Sequence, residues 1–290
     1  MAKAVSALDV TEDCLRSAQQ IDAGAFHLHY RNVSRWFPMR NGGSGRIEAL
    51  DGVTVGVRPR EIVAVIGPSG CGKSTLLALG AGLDHPSKGT VEIGAKVVAG
   101  PRADVAFMLQ KDLLLPWRNI LGNVEYGLEI RRLAKAERRE MALSMLERFG
   151  LRDFAAMHPY QLSGGMRQRA ALARTMALQP TTLLMDEPFS ALDAQTKLML
   201  QGELVAAVRG ADMTALVITH DLTEAVVLAD RIYIMSARPG KILKELKVEL
   251  PKDEDPVARY FDPETTKYVR EVWSVLSKFD LNSIRGEKKI

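Results

Sequence analysis

The chain has 290 residues, of which 47% are apolar and 26% charged. That apolar share can bury a real core, which excludes global disorder, and at roughly 150 residues per domain the length predicts about two domains. Lys and Arg number 39 against 35 Asp and Glu, a formal net charge of +4 without a long basic stripe. Nothing in that balance points to nucleic acid. Two cysteines, Cys14 and Cys71, make no disulfide framework and fit a reducing compartment. No stretch approaches the roughly 18–20 unbroken apolar residues of a membrane span. The start carries Lys3, Asp9, Glu12 and Asp13 and no apolar run, so no signal peptide is read there. The expectation is a soluble, cytosolic chain, free to dock on a membrane protein.

In chain order, residues 1–24 read as a mobile extension with a short helix around Thr11–Gln20. Phe26–Tyr30 and Val53–Val57 alternate at period two and predict strands, with a flexible loop at Asn41–Gly45 between them. Glu61–Ile66 is a short apolar run, the mark of a strand buried on both faces. A Gly-rich turn and a helical stretch, Ser74–Gly82, follow it. Residues 118–160 read as mostly helical, and their charged run Arg131–Arg139 as a solvated helix face. Thr182–Met185 and Ala215–Thr219 are two more buried strands, with helical stretches before and between them. Strand alternating with helix predicts an α/β fold on a mainly parallel sheet. Pro251–Pro256 is a polar linker. Beyond it Asp262 is placed to cap a helix with Pro263 at its first position. Val269, Trp273, Leu276 and Phe279 recur there at helical spacing, one apolar face read as packed on the body, with partner binding as the alternative.

Three elements carry chemistry. Gly67-Pro68-Ser69-Gly70-Cys71-Gly72-Lys73-Ser74 fits G-x4-G-K-[ST] between a buried strand and a helix. Its glycines let the backbone wrap a phosphate chain closely, and its N–H groups and the helix N-terminus face the anion. Lys73 adds charge for the β and γ phosphates. The Ser74 hydroxyl suits Mg²⁺, which takes hard oxygens, and Thr75 behind it is counted with the nucleotide contacts. Cys71 is read as a small filler of the loop. Leu183–Glu187 is the second element, a hydrophobic strand ending in two carboxylates. Asp186 is placed to hold Mg²⁺ and Glu187 to orient or deprotonate an attacking water. Third, Ser163-Gly164-Gly165 precedes a helical run and forms another helix N-terminus able to face an anion; alone it is an N-cap with a flexible start.

Together these elements resemble the ABC-type ATPases, whose signature sequence Leu162–Arg169 is similar to. The family's remaining marks then follow. Gln110 after Phe107-Met108-Leu109 looks like the Q-loop glutamine, Ser190–Asp193 like the D-loop, and His220 like the switch histidine. Phe37 looks like the aromatic that stacks on adenine, with Trp36 as the alternative register. The resemblance covers roughly residues 25–245. Within the family it is nearest to importer ATPases of the nitrate, taurine and aliphatic-sulfonate group, on Leu115-Pro116-Trp117, Gly122-Asn123-Val124, Met166-Arg167 and Ala237–Gly240.

That resemblance implies a P-loop NTPase fold, an ABC ATPase cassette with a RecA-like core, an antiparallel β subdomain and a helical subdomain at about 111–163. Outside it lie the extension 1–24 and a tail, 246–290, too short for the regulatory domain of some sugar and methionine importers. It implies ATP and Mg²⁺ as cofactors, with Ser74, Gln110 and Asp186 toward the metal and Lys73, Gln110, Glu187 and His220 in catalysis. It further implies a head-to-tail pair in which Ser163 and Gly165 of one copy face Lys73, Ser74, Gln110, Asp186, Glu187 and His220 of the other, with Gly164 and Asp193 counted among the nucleotide contacts, so that an isolated chain is a poor ATPase. Separate transmembrane permease subunits would dock on the helical region after Gln110, with a solute-binding protein beyond them. The chain would then sit peripherally on the cytoplasmic face of the membrane and serve a small anion or organic solute. Nitrate, a sulfonate, taurine, bicarbonate and a pyrimidine-like compound all stay open. The alternatives are an exporter or lipid-transport ATPase, a soluble ABC ATPase on nucleic acid or ribosomes, and a non-hydrolytic regulatory cassette.

Overall fold

The computed structural model describes residues 26–39, 45–210, 213–251 and 256–286. The expected helix at 11–20, most of the loop at 41–45 and the middle of the linker at 251–256 lie outside the described residues. Among the described residues, ten strands form two sheets. Leu28–Pro38 (β1), Arg46–Val57 (β2), Lys88–Ile93 (β4) and Lys96–Val97 (β5) make an antiparallel sheet in the order β2-β1-β4-β5. Six further strands make the second sheet: Ile62–Ile66 (β3), Val105–Met108 (β6), Thr182–Asp186 (β7), Thr214–Ile218 (β8), Arg231–Met235 (β9) and Ile242–Lys247 (β10). Its order is β10-β9-β3-β8-β7-β6, parallel except for β10 at one edge. Every residue of β3, β7, β8 and β9 is buried, which is why these segments read as apolar runs without alternation.

The first helix, Lys73–Gly80 (α1), lies between the two sheets. Its Leu76, Leu77 and Leu79 share one core with Tyr30, Val55 and Ile93 of the antiparallel sheet and with Val65, Leu184 and Ile218 of the parallel one. The other face of the parallel sheet is covered by a helical lobe, Ile120–Ile130 (α2), Lys135–Arg148 (α3) and Gly164–Ala177 (α4). Ala194–Gly210 (α5), Leu222–Leu228 (α6), Pro256–Phe261 (α7) and Pro263–Gly286 (α8) are the remaining α-helices of the described residues.

Four expectations need correction. The strand at Phe26–Tyr30 starts instead at Leu28 and continues to Pro38, through register shifts that begin between Tyr30 and Val33. Asn32, at φ 49°, breaks the alternation there, so the pattern stops before the strand does. Val53–Val57 is the inner part of the longer β2. The charged run Arg131–Arg139 is not one helix. α2 ends at Ile130, Arg132 takes φ 62°, Leu133 N donates back to Leu128 O, and α3 starts at Lys135. The run is nonetheless exposed along most of its length, Arg131 included, whose guanidinium donates to the carbonyls of Leu178 and Ala103. In α8 the packed face is carried by Val269, Val272 and Leu276, whereas Trp273 is 62% exposed. The Phe279 side chain lies outside the described residues. The Asp262 carboxylate accepts from Glu264 N at 2.7 Å at the start of α8.

Candidate active site

The site follows from strand order. β3, β8, β7 and β6 are consecutive neighbours, so the loops leaving their carboxyl ends share one rim, the usual place for a ligand in an open parallel sheet. Those loops carry residues 67–72, His220, Asp186-Glu187 and Gln110.

The loop after β3 needs glycine at Gly72, where φ is 105° and a Cβ would sit 2.7 Å from the Ala49 carbonyl oxygen. Gly70, at φ 74°, faces open space, as do the exposed Ser69 and Ser74. Thr75 is half-buried on the first turn of α1. Lys73 is buried, and its Nζ donates to Gly67 O at 2.7 Å and Pro68 O at 2.8 Å. The ammonium is thus held at the mouth of the loop by neutral carbonyls, which a phosphate oxygen can replace at little desolvation cost. Cys71 Sγ lies 3.9 Å from it. Burial pushes that thiol's pKa up against the smaller influence of Lys73, keeping it a protonated packing group.

Ser74 Oγ donates to Asp186 Oδ2 at 2.7 Å. Burial raises the Asp186 pKa, and the Ser74 bond opposes that shift. Two hard oxygens side by side at a strand end suit Mg²⁺. Among the described residues no group of three or more His, Cys, Asp or Glu is arranged to hold a metal ion. A cation here would therefore complete its shell with water and ligand phosphates, which is the habit of Mg²⁺ and not of Ca²⁺ or Zn²⁺.

Glu187 occupies the left-handed region at φ 49°, with its N–H on Ile218 O at 2.8 Å. Backbone of this kind in a non-glycine residue clusters at functional sites, and here it turns the side chain out of the sheet. Gln110 Nε2 donates to Glu187 Oε2 at 2.8 Å, and His220 Nδ1 lies 3.1 Å from Oε1. Each carboxylate oxygen is gripped from a different strand end, a geometry able to orient a water and accept its proton.

Lys73, Ser74, Gln110, Asp186, Glu187 and His220 thus meet at one rim. Ser163 instead caps α4, its Oγ accepting from Met166 N at 3.3 Å, with Gly164 and Gly165 opening the helix. A Cβ on Gly165 would lie 3.6 Å from Ala191 O, so this N-terminus borders the 190–193 turn. Asp193 Oδ1 accepts from Thr196 N at 3.0 Å, a bond that holds its carboxyl below the usual range. Phe37 sits on the antiparallel sheet under the Arg35 guanidinium, 4.5 Å from its ring, and Trp36 is covered by Arg46 at 4.6 Å.

Sequence reading missed Gln168. Buried in α4, its Nε2 donates to Pro188 O at 2.8 Å and ties that helix to the turn after Glu187. A glutamine on the apolar side of a helix was the available signal. It also missed Asn123, fully buried, which bonds Leu115 N and O and Arg118 O and so shapes the Leu115–Trp117 loop.

A family model described as ABC transporter matches residues 50–190. The chain is 42% identical over 258 residues to an uncharacterised ABC transporter ATP-binding protein of Methanocaldococcus jannaschii, covering 89% of this chain and 94% of that one. It is 42% identical to the nitrate import ATP-binding protein NrtD of Synechocystis, over 86% of this chain and 95% of the relative. To the taurine import ATP-binding protein TauB of Chromobacterium violaceum it is 46% identical, over 69% and 76%. Among solved structures, a dimeric ABC transporter cassette superposes with a TM-score of 0.71 at 32% identity, over 77% of this chain and all of that one. A post-hydrolysis form of the same cassette, bound to ADP and phosphate, gives 0.70.

Proposed function

The chain belongs to the ABC transporter family as an ATP-hydrolysing cassette, and we propose that two copies, paired head to tail, power the import of a small anion or organic solute of the nitrate, taurine or sulfonate kind. The observation that carries the mechanism is the Glu187 carboxylate, held between Gln110 and His220 beside the Ser74–Asp186 pair.

Lys73 exchanges its loop carbonyls for β- and γ-phosphate oxygens. Glu187 takes a proton from water as that water attacks the γ-phosphorus in line. The bond to the β–γ bridging oxygen breaks, and ADP and phosphate leave. Gln110 and His220 keep the base oriented, so most of the rate comes from positioning and charge stabilisation. Mg²⁺, held by Ser74, Asp186 and Gln110, would neutralise phosphate charge when bound. Ser163 and Gly165 of the second copy would add N–H donors to the γ-phosphate only while ATP bridges the pair, so ATP closes the pair and hydrolysis opens it. Phe37 would stack on the adenine, and Asp193 would lie at the seam.

The helical lobe favours a membrane partner. Trp117 is 72% exposed and Leu113 53%, close to Gln110 in sequence, and no helix among the described residues is long and apolar enough to cross a membrane. The cassette would therefore sit peripherally on the cytoplasmic face and dock permease subunits on this lobe, with solute choice left to them and to a binding protein. Purification from detergent-solubilised membranes tests this. Polytopic permeases are expected with the chain, and a solute-binding protein loaded with nitrate, taurine or an alkanesulfonate should stimulate its turnover in vesicles. Recovery with ribosomes or nucleic acid, and no membrane subunit, would overturn it.

A further inference from the structure

The helices that leave the catalytic loops also wall a cavity outside the nucleotide site. α5 starts directly after Asp193 and α6 directly after Asp221, the neighbour of His220. Between them, with α7 as a third wall, lies a space of about 1090 Å³. Its lining is mainly apolar, with Met199, Val205, Val227 and Phe261 among the contributors. Gln201 also lines it, only 1% exposed, and neither its Nε2 nor its Oε1 has a hydrogen-bond partner. Glu224 Oε1 is likewise buried and unpartnered, while its Oε2 lies 2.7 Å from Lys197 Nζ. Native proteins rarely leave a buried amide with both ends open. An apolar wall with a few convergent polar atoms is the composition of a small-molecule pocket, typically roughly 300–1,000 Å³.

We propose that this cavity binds a small neutral molecule with an apolar body and a carboxamide edge. Its C=O accepts from Gln201 Nε2 while its N–H groups donate to Gln201 Oε1 and Glu224 Oε1. Two observations favour a neutral ligand. Lys197 is already answered by Asp221 and Glu224, both at 2.7 Å, and Glu203 by Arg148. An anion would meet the Asp221 and Glu224 carboxylates, and the other cation of the lining, Arg209, is already ion-paired with Asp230 at 3.8 Å. The occupant would touch both helices that carry the catalytic loops, which places it to bias turnover. Binding itself does not depend on the transport reading.

Benzamide is the probe, with toluene as the same ring lacking the amide. The full-length protein is labelled with ¹³C-methyl methionine, and the Met199 signal is assigned through Met199→Leu. Benzamide should shift that signal saturably, and toluene should bind at least about tenfold more weakly. Gln201→Leu should weaken benzamide by a similar factor. Ala206→Trp, which fills the cavity from an exposed position, should abolish the shift, and retained ATP binding checks that each variant folds. If Gln201→Leu does not fold, Ala206→Trp and the toluene comparison decide. The proposal is overturned by no saturable shift, by equal binding of toluene, or by binding that survives Ala206→Trp. Each of these would leave the amide of Gln201 to water.

Discussion

His220 Nδ1 lies 3.1 Å from Glu187 Oε1, across the ends of two adjacent parallel strands. With Gln110 on the other oxygen, this contact aims the carboxylate. Glu187→Gln keeps the shape and removes the proposed base. Phosphate release should fall by about 10²–10⁴-fold, while equilibrium binding of ATP stays within a few-fold. Full turnover in this variant would remove Glu187 from the role of base.

Phe37 and Trp36 are consecutive residues of one strand and face opposite sides of the sheet. On the proposed stacking, only one of them can meet the adenine. Base–aromatic stacking is worth roughly 1–3 kcal/mol, so Phe37→Ala should weaken ATP about tenfold and Trp36→Ala much less. Titration with a fluorescent nucleotide decides between them, and the reverse ranking would assign the adenine to Trp36.

Arg231 is a buried cation between sheets. Its guanidinium meets Glu61 at 2.6 and 2.7 Å, Glu245 at 2.7 Å and Gly56 O at 2.6 Å. Burial opposes the charge, but the Glu61 and Glu245 bonds outweigh it and raise the Arg231 pKa. Glu61→Ala leaves a charge without its main partner, a change that costs about 3–5 kcal/mol. Thermal unfolding should drop by roughly 10 °C, with ATP binding intact at low temperature.

Glu224 is held above the usual carboxyl range by burial, against the opposing bond from Lys197. A folded pKa above the unfolded one means that the folded chain binds the proton more tightly. Stability from this group is therefore lost as pH rises from the ordinary Glu range through the folded pKa. Asp221, whose pKa is lowered despite its burial by the Lys197 bond, contributes the opposite slope. Glu224→Gln removes the first slope and keeps the second. Its melting temperature relative to wild type should rise between about pH 4 and the folded pKa and then level off. A difference independent of pH would refute this.

The P-loop, the Asp186-Glu187 strand end and the Ser163 helix start were legible as local text, because each depends on residue types at fixed spacing around a backbone turn. So was the parallel sheet, because strands buried on both faces must be apolar throughout. Register and partnership were not legible. Asn32 hid most of β1, and β9 and β10 carry no alternation to betray them. Arg231 and Glu61 lie 170 positions apart, and nothing in the local sequence pairs them until adjacent strands bury them together. The same holds for Gln201 and Glu224, whose chemistry depends on what the opposite helix fails to supply. Local sequence determines which groups can hold a phosphate. Strand order alone decides that Gln110 and His220 converge on the Glu187 carboxylate, because such contacts form only when segments far apart in the chain pack side by side.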